Sequence, residues 1–212
     1  MVFGSAIHSV IEKLTTQPHP TLEPKDHARS LLDEFWQSEV YKSEYEESEA
    51  RTSAHAILDT YLAWQATNTN TVTGVEHEFT FHFTGHTLNG FIDRIEQTPE
   101  GGHVVIDFKS GKKPGTISKN KIKTNIQINM YCLAIQQMTG ALPERAEIFF
   151  LKDGKHVHYV PNEETITAFT DTIRTLITEI IREYFPANPD FFRCKYCGYR
   201  DLCGDKWSYN DW

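Results

Sequence analysis

The sequence predicts an α/β protein in which a mixed β-sheet is flanked by helices. Apolar residues recur every three or four positions over most of residues 1–68, which indicates helices. They alternate with polar residues over residues 75–109, which indicates strands. A second helical pattern, a hairpin and a last helix follow in that order. Because each such element buries one apolar side, the helices are expected to pack on the sheet.

Length and composition fit one globular domain with its own core. The chain has 212 residues, of which 39% are hydrophobic and 24% are charged. We expect a single domain over residues 1–212, with a helical N-terminal part (1–68), a core (72–185) and a Cys-rich tail (189–212). Since no apolar run reaches membrane-spanning length and no secretion signal is present, we expect an intracellular protein without a membrane partner.

The charge balance limits how the protein can bind a polyanion. Its net charge is −8, so it does not coat duplex DNA through bulk positive charge. A local excess of positive charge is present at Lys109, Lys112, Lys113, Lys119, Lys121 and Lys123. This lysine run is either a nucleic-acid patch or a solvated loop and helix face.

The N-terminal part carries one histidine in a distinctive setting. Residues 1–14 predict a helix with an apolar stripe, and Gly4 and His8 stack on neighbouring turns at its edge. The glycine leaves room beside the imidazole, so His8 is either a metal ligand or a partly buried, hydrogen-bonded side chain. Residues 21–68 then predict two helices joined by an exposed link at residues 41–49.

The strands carry the acidic candidates. Residues 75–84 alternate, with Glu76 and Glu78 on one face and aromatic side chains on the other. In the next strand, Asp93 lies in an otherwise apolar row with Phe91 and Ile95.

A turn at residues 98–102 then leads to a strand that places Asp107 and Lys109 on one face. A hairpin through this turn brings Asp93 close to both. Two carboxylates this close repel each other unless a cation or donor compensates, so the pattern favours a metal site with a neighbouring lysine. The alternative is a surface hairpin in which Asp93 pairs with Arg94 or Lys109.

The second half of the chain predicts scaffold and one cysteine cluster. Residues 118–138 predict a helix with Gln127 and Tyr131 four residues apart on one side, and residues 146–160 predict a hairpin. A last helix is predicted over residues 165–185. The tail then carries a C-x₂-C-x₅-C pattern at Cys194, Cys197 and Cys203, a spacing typical of metal ligands.

Two of these stretches resemble a known family. Gly-Phe-Ile-Asp-Arg-Ile (90–95), followed by Val-Ile-Asp-Phe-Lys-Ser-Gly (105–111), is similar to the core of the PD-(D/E)XK nuclease superfamily, in particular its RecB/AddB-like exonuclease branch. Gly4/His8, Gln127/Tyr131 and the tail cysteines resemble further motifs of that branch in the same order. The resemblance implies a nuclease fold over nearly the whole length.

The resemblance also implies roles for the candidate residues. His8, Asp93, Asp107 and the carbonyl of Phe108 are the expected ligands of Mg²⁺ or Mn²⁺, and Lys109 is expected to position the attacking water. A glutamate on the first strand approaches the metal in this family, and we prefer Glu76 to Glu78. Gln127 and Tyr131 are expected to contact DNA. The catalytic set is therefore Lys109, Asp107, Asp93 and Glu76.

The resemblance implies that the partner is DNA, either single-stranded or with free ends. It also implies a role in repair or recombination, together with a helicase or recombination protein. The expected location is the cytoplasm or the nucleoid. The alternative function is an inactive nuclease fold that binds DNA or acts as a scaffold. For the tail, the resemblance implies a 4Fe–4S cluster whose fourth cysteine precedes the first helix. This chain starts at that helix and Cys132 fits the core, so no fourth ligand is identified. We expect that a preceding segment carries it; the alternatives are zinc or loss of the cluster.

Overall fold

The computed structural model describes residues 2–19, 21–115 and 117–206. The chain forms two compact units, Met1–Phe169 and Thr170–Trp212. Met1 of the predicted first helix, the side chain of Lys119 in the lysine run and residues 207–212 of the tail lie outside the described part.

Three helices open the first unit, namely α1 (Val2–Thr16), α2 (Pro24–Phe35) and α3 (Glu44–Thr67). The predicted link at residues 41–49 is wrong for most of its length, because α3 already begins at Glu44. Its start is set by Ser43, whose hydroxyl accepts the backbone N–H of Glu46 at 3.2 Å. This cap compensates for the lack of an apolar stripe in the first turns of α3.

In the part of the chain that the structure describes, five strands form one mixed sheet in the order β1-β2-β3-β4-β5, with β1 (Thr71–Phe83), β2 (His86–Gln97), β3 (His103–Lys109), β4 (Arg145–Phe150) and β5 (Lys155–Tyr159). The first three strands pair antiparallel, β3 and β4 pair parallel, and β5 returns antiparallel to β4. The predicted meander, the second hairpin and the mixed sheet are confirmed.

The β1–β2 hairpin extends beyond the rest of the sheet. It closes at Thr84 and Gly85, which both have positive φ, as the tight hairpin turn requires. β3 pairs with β2 only from Arg94 onward. Among the described residues, residues 86–92 of β2 therefore pair with β1 alone and form a two-stranded ribbon.

The helix predicted over residues 118–138 is in fact two, α4 (Lys119–Ile122) and α5 (Ile126–Thr139). The break occurs because the side chain of Asn125 accepts the backbone N–H of Ile128 at 3.0 Å and caps α5. α5 covers one face of the sheet and contacts β1, β3 and β4.

The core of the first unit lies between α1–α3 and the opposite face of the sheet. Helix residues such as Ile7, Val10 and Leu58 pack there with Val104, Ile106, Phe108 and Phe149 of the sheet. β3 therefore has one fully apolar face against the three helices. Its other face carries Asp107 and Lys109 toward α5.

The helix predicted over residues 165–185 is α6 (Glu163–Ile181), which ends four residues earlier than predicted. The boundary between the two units falls within this helix. The second unit contains the rest of α6 and a short helix, α7 (Phe191–Tyr196). In the described part of the chain, no helix is both long enough and apolar enough to span a bilayer.

Candidate functional site

The two aspartates predicted as a pair lie opposite each other on β2 and β3. The register joins Ile95 to Val105 and Arg94 to Ile106, which places Asp93 opposite Asp107. Both side chains are buried, with relative exposures of 7% and 1%. Arg94 pairs instead with Glu96, with 2.6 Å between Nε and Oε1. The surface hairpin in which Asp93 pairs with Arg94 or Lys109 is therefore not observed.

Asp93 is held by two donors that define its orientation. The backbone N–H of Phe108 donates to Oδ2 at 2.8 Å, and the hydroxyl of Tyr131 donates to Oδ1 at 2.8 Å. Burial raises the pKa of Asp93, although His8 and these two hydrogen bonds act in the opposite direction. The carboxylate is thus fixed in position but only partly compensated.

α1 brings His8 to the same place from the other end of the chain. Its Nδ1 lies 3.5 Å from Oε1 of Glu76 and 3.7 Å from Oδ2 of Asp93. Its Nε2 lies 3.1 Å from the carbonyl oxygen of Phe108. When Nε2 carries the proton, His8 donates to Phe108 and turns the lone pair of Nδ1 toward the two carboxylates.

His8, Glu76 and Asp93 form a group whose ligand atoms all lie within 4.8 Å of one another. No other group of three His, Cys, Asp or Glu residues meets this criterion among the residues that the structure describes. One nitrogen with carboxylate oxygens suits Mg²⁺ or Mn²⁺.

The backbone distinguishes the two glutamates that strand periodicity left equivalent. Glu76 has φ of 43°, an uncommon conformation for a residue with a side chain, whereas Glu78 pairs with Phe91 and is exposed. Such strain persists where the surrounding structure enforces it, often at functional sites. Glu76 is the glutamate beside His8.

A chain of hydrogen bonds connects the two aspartates through α5. Nζ of Lys109 donates to Oδ1 of Asp107 at 2.8 Å and to Oε1 of Gln127 at 2.7 Å. Gln127 in turn donates to the hydroxyl of Tyr131 at 2.9 Å, and Tyr131 donates to Asp93. Asp93, Asp107, Lys109, Gln127 and Tyr131 therefore take part in one network. Contact of Gln127 or Tyr131 with DNA stays a prediction.

The buried carboxylate of Asp107 is only partly compensated by its neighbours. Its Oδ2 is buried and has no hydrogen-bond partner among the described residues. Burial, followed by repulsion from Asp93, raises the pKa of Asp107 to about 7 despite the nearby ammonium of Lys109. A buried acceptor without a partner next to a second carboxylate is the environment that a bound cation satisfies. The residues present therefore fit a divalent metal ion.

The pKa of His8 is set by two opposing effects, burial and the neighbouring carboxylates. Burial lowers its pKa, but the carboxylates of Glu76 and Asp93 outweigh burial and raise the pKa above its ordinary value. A metal ligand must be the neutral imidazole, so a proton and a metal ion compete for the same nitrogen.

Metal affinity is therefore expected to increase with pH. The pKa values of His8, Asp93 and Asp107 are all raised above their ordinary values, that of Asp107 to about 7, so protons compete with a metal ion for these groups at higher pH than for ordinary side chains. Affinity for Mn²⁺, measured by calorimetry, should fall below about pH 7, by up to about tenfold per pH unit for each proton released. Asp107→Asn should reduce this slope. An affinity that does not change with pH would contradict this assignment of ligands.

The network opens into a cleft of about 830 Å³, the site cleft, lined by Gly4, Ser5, His8, Ser9, Glu12, Glu76, Phe91, Lys109 and Gln127. The sequence pattern did not identify Ser5, Ser9 and Glu12, although Ser5 and Glu12, three residues before and four after His8, lie on its side of a helix. The sequence placed Phe91 in an apolar row. In the structure Phe91 is exposed, because β3 pairs with β2 only from Arg94 onward.

The tail cysteines lie in the second unit. Cys194 and Cys203 are partly exposed and Cys197 is exposed. In the described residues they do not form a group with ligand atoms within 4.8 Å. Cys132 is buried in α5 and burial raises its pKa to about 12, which agrees with the prediction that it belongs to the core. A metal centre in the tail stays a prediction.

A carboxylate-rich group that can hold a metal ion, with an adjacent lysine in an open cleft, is typical of metal-assisted hydrolysis. The chain belongs to the PD-(D/E)XK nuclease superfamily, whose family model matches residues 1–204. Proteins of this superfamily are generally metal-dependent nucleases.

The crystal structure of SSO0001 is similar over 96% of this chain and 85% of that chain, with 16% sequence identity and a TM-score of 0.47. No curated protein matches the chain.

Proposed function

We propose that this protein is a divalent-metal-dependent nuclease that hydrolyses phosphodiester bonds of DNA. The observation that carries the proposal is the cluster of His8, Glu76 and Asp93 beside the unsatisfied oxygen of Asp107. Burying this many acidic groups is costly without a cation. The rival function, an inactive DNA-binding module, gives no reason to keep such an arrangement.

The finer proposal is an exonuclease of the RecB/AddB-like branch that acts on single strands or DNA ends during repair or recombination, with a helicase or recombination protein as partner. Its support is the order of the motifs along the chain, which are Gly4/His8, Glu76, Asp93, Asp107/Lys109, Gln127/Tyr131 and the tail cysteines. Several ordered matches are more specific than any one of them.

His8, Glu76, Asp93 and Asp107 are the residues that would hold Mg²⁺ or Mn²⁺. The Phe108 carbonyl stays a predicted ligand; its oxygen lies 3.1 Å from Nε2 of His8, whereas Nδ1 is the nitrogen that faces Glu76 and Asp93. A bound divalent ion supplies charge neutralisation at the phosphate and lowers the pKa of a coordinated water.

Lys109 is placed to orient the nucleophile. Its ammonium has three donors, and the described residues accept two of them, at Asp107 and Gln127. The third donor would serve an attacking water or a phosphate oxygen. The side chain is 38% exposed, so it reaches the solvent of the site cleft.

DNA contact is assigned to two further groups. Gln127 is exposed and lines the site cleft. Its side-chain amide donates to the hydroxyl of the buried Tyr131, which holds Gln127 in position. Lys112, Lys121 and Lys123 are also exposed and follow Lys109 along the chain. They provide local positive charge in a protein that is acidic as a whole.

The proposal is tested with labelled DNA in single-stranded, blunt duplex and circular forms. Cleavage is expected with Mg²⁺ or Mn²⁺ and is expected to stop in EDTA. Ca²⁺ should permit binding without turnover, because the larger ion tolerates looser geometry. Preference for free ends over circles supports the exonuclease assignment. Absence of cleavage under every Mg²⁺ and Mn²⁺ condition, together with DNA binding, would favour the inactive binding module.

We also propose that Cys194, Cys197 and Cys203 hold a metal centre, a 4Fe–4S cluster or zinc, with a fourth ligand still to be found. The support is their C-x₂-C-x₅-C spacing. Anaerobically purified protein is expected to show either the visible absorbance of an iron–sulfur cluster or stoichiometric zinc by elemental analysis. Replacing Cys197 with serine should lower the metal content, and metal-free protein with three freely titrating thiols would disprove the assignment.

A further inference from the structure

An aromatic ring is exposed in the wall of the site cleft. Phe91 of β2 lines the cleft together with Glu76, Lys109 and Gln127, and 54% of its surface is exposed. The other lining residues are mostly polar. Exposed phenylalanines occur singly on many protein surfaces, so the position of this ring carries the inference.

The position follows from the strand geometry. Phe91 lies on the same face of β2 as Asp93, two residues before it, which corresponds to about 7 Å along a strand. The residue opposite Phe91 on β1 is Glu78, which is itself exposed. Because β3 pairs with β2 only from Arg94 onward, this part of β2 has no second neighbouring strand among the described residues.

The other face of the same ribbon has a different environment. Phe79 is buried there, with its ring against Gly90, where an added Cβ would lie 2.8 Å from Cζ of Phe79. One face of the ribbon therefore buries the ring of Phe79 against Gly90. The other face, which carries the proposed ligands Glu76 and Asp93, leaves Phe91 exposed. Phe91 is the large apolar side chain that lines the site cleft.

We propose that Phe91 stacks on a nucleobase beside the scissile phosphate, so that the substrate of this site is DNA whose bases are unpaired where it is cut. The inference rests on the proposed nuclease function and adds a residue that recognises the substrate. A base inside a duplex has both faces covered by its neighbours. It can stack on a side chain only after it leaves them, as in a single strand or a frayed end.

The experiment measures binding in Ca²⁺, so that it does not depend on turnover. Affinities of the wild type, Phe91→Ala and Phe91→Trp are determined by fluorescence anisotropy for a single-stranded oligonucleotide and for versions with one abasic nucleotide at successive positions from either end. Tyr45→Ala is the matched control, because Tyr45 is an exposed aromatic residue of the same unit that does not line the site cleft. Melting curves verify that each variant is folded.

We expect Phe91→Ala to remove the energetic interaction between the ring of Phe91 and one base of the strand. Phe91→Ala should weaken single-strand binding about tenfold or more, whereas Phe91→Trp and Tyr45→Ala should not. The wild type should lose a similar amount for an abasic nucleotide at one position, and Phe91→Ala should lose nothing further there. Blunt duplex binding should change much less.

Two outcomes are distinguishable. If the wild type binds and cleaves DNA but the losses from Phe91→Ala and from the abasic nucleotide add, or neither occurs, the stacking role is overturned and the nuclease proposal stands. If the wild type neither binds nor cleaves DNA with any metal ion, the nuclease proposal is overturned and the stacking role with it.

Discussion

Asp107→Asn is expected to abolish DNA cleavage while the protein stays folded and continues to bind DNA. The amide keeps the shape of the side chain but removes the charge that attracts the divalent ion. Water activation and charge neutralisation at the phosphate are then lost together, and the rate should fall on the order of a thousandfold or more. The measurement compares the wild type and the variant on single-stranded, blunt duplex and circular DNA.

Melting curves provide the control. The pKa of Asp107 is raised to about 7 in the fold, so its contribution to stability is fully present below the ordinary pKa of an aspartate and is lost as pH rises through about 7. Above that pH, in EDTA, Asp107→Asn should melt no lower than the wild type. Added Mg²⁺ should raise the melting temperature of the wild type more than that of the variant. Equal nuclease activity in both proteins would remove Asp107 from catalysis.

Glu76→Gln is expected to give the second large effect, and Glu78→Gln is its matched control. Glu76 lies 3.5 Å from Nδ1 of His8 within the group of ligand atoms, whereas Glu78 is exposed and pairs with Phe91. The amide that replaces the carboxylate keeps an oxygen but not the charge. Cleavage should therefore fall on the order of a hundredfold in Glu76→Gln and stay near the wild-type rate in Glu78→Gln.

The metal dependence of these variants separates ligand loss from misfolding. If Glu76 helps to hold the ion, the half-saturating Mn²⁺ concentration of Glu76→Gln should rise, and excess Mn²⁺ should recover part of the rate. Both variants should melt close to the wild type. Equal impairment of the two variants, or a full rate in Glu76→Gln at low Mn²⁺, would show that Glu76 is not a ligand.

Local sequence signals were sufficient for the strands and for the centre of the site. The turn at residues 98–102 and the two-residue period of β2 and β3 bring Asp93, Asp107 and Lys109 together, and the observed register confirms this. Such a hairpin is determined by short-range geometry, because the turn sets the register and the register sets the facing pairs.

Local signals were less reliable at helix boundaries. The predicted helix over residues 118–138 divides at Asn125, and the predicted link at residues 41–49 is mostly helical after Ser43. In both places one side chain caps a helix by accepting a backbone N–H, a contact that the apolar pattern does not record.

The amino-acid sequence by itself determined the order of helices and strands, the family resemblance, the acidic pair with its lysine, and the candidacy of His8. Only the tertiary structure decided that His8 lies beside Glu76 rather than Glu78, that Lys109, Gln127 and Tyr131 link the two aspartates, and that Phe91 is exposed. The physical reason is distance along the chain. Period and turns determine contacts within a hairpin or a helix, whereas contacts between α1, β1 and α5 depend on how the apolar faces of these elements pack around the sheet.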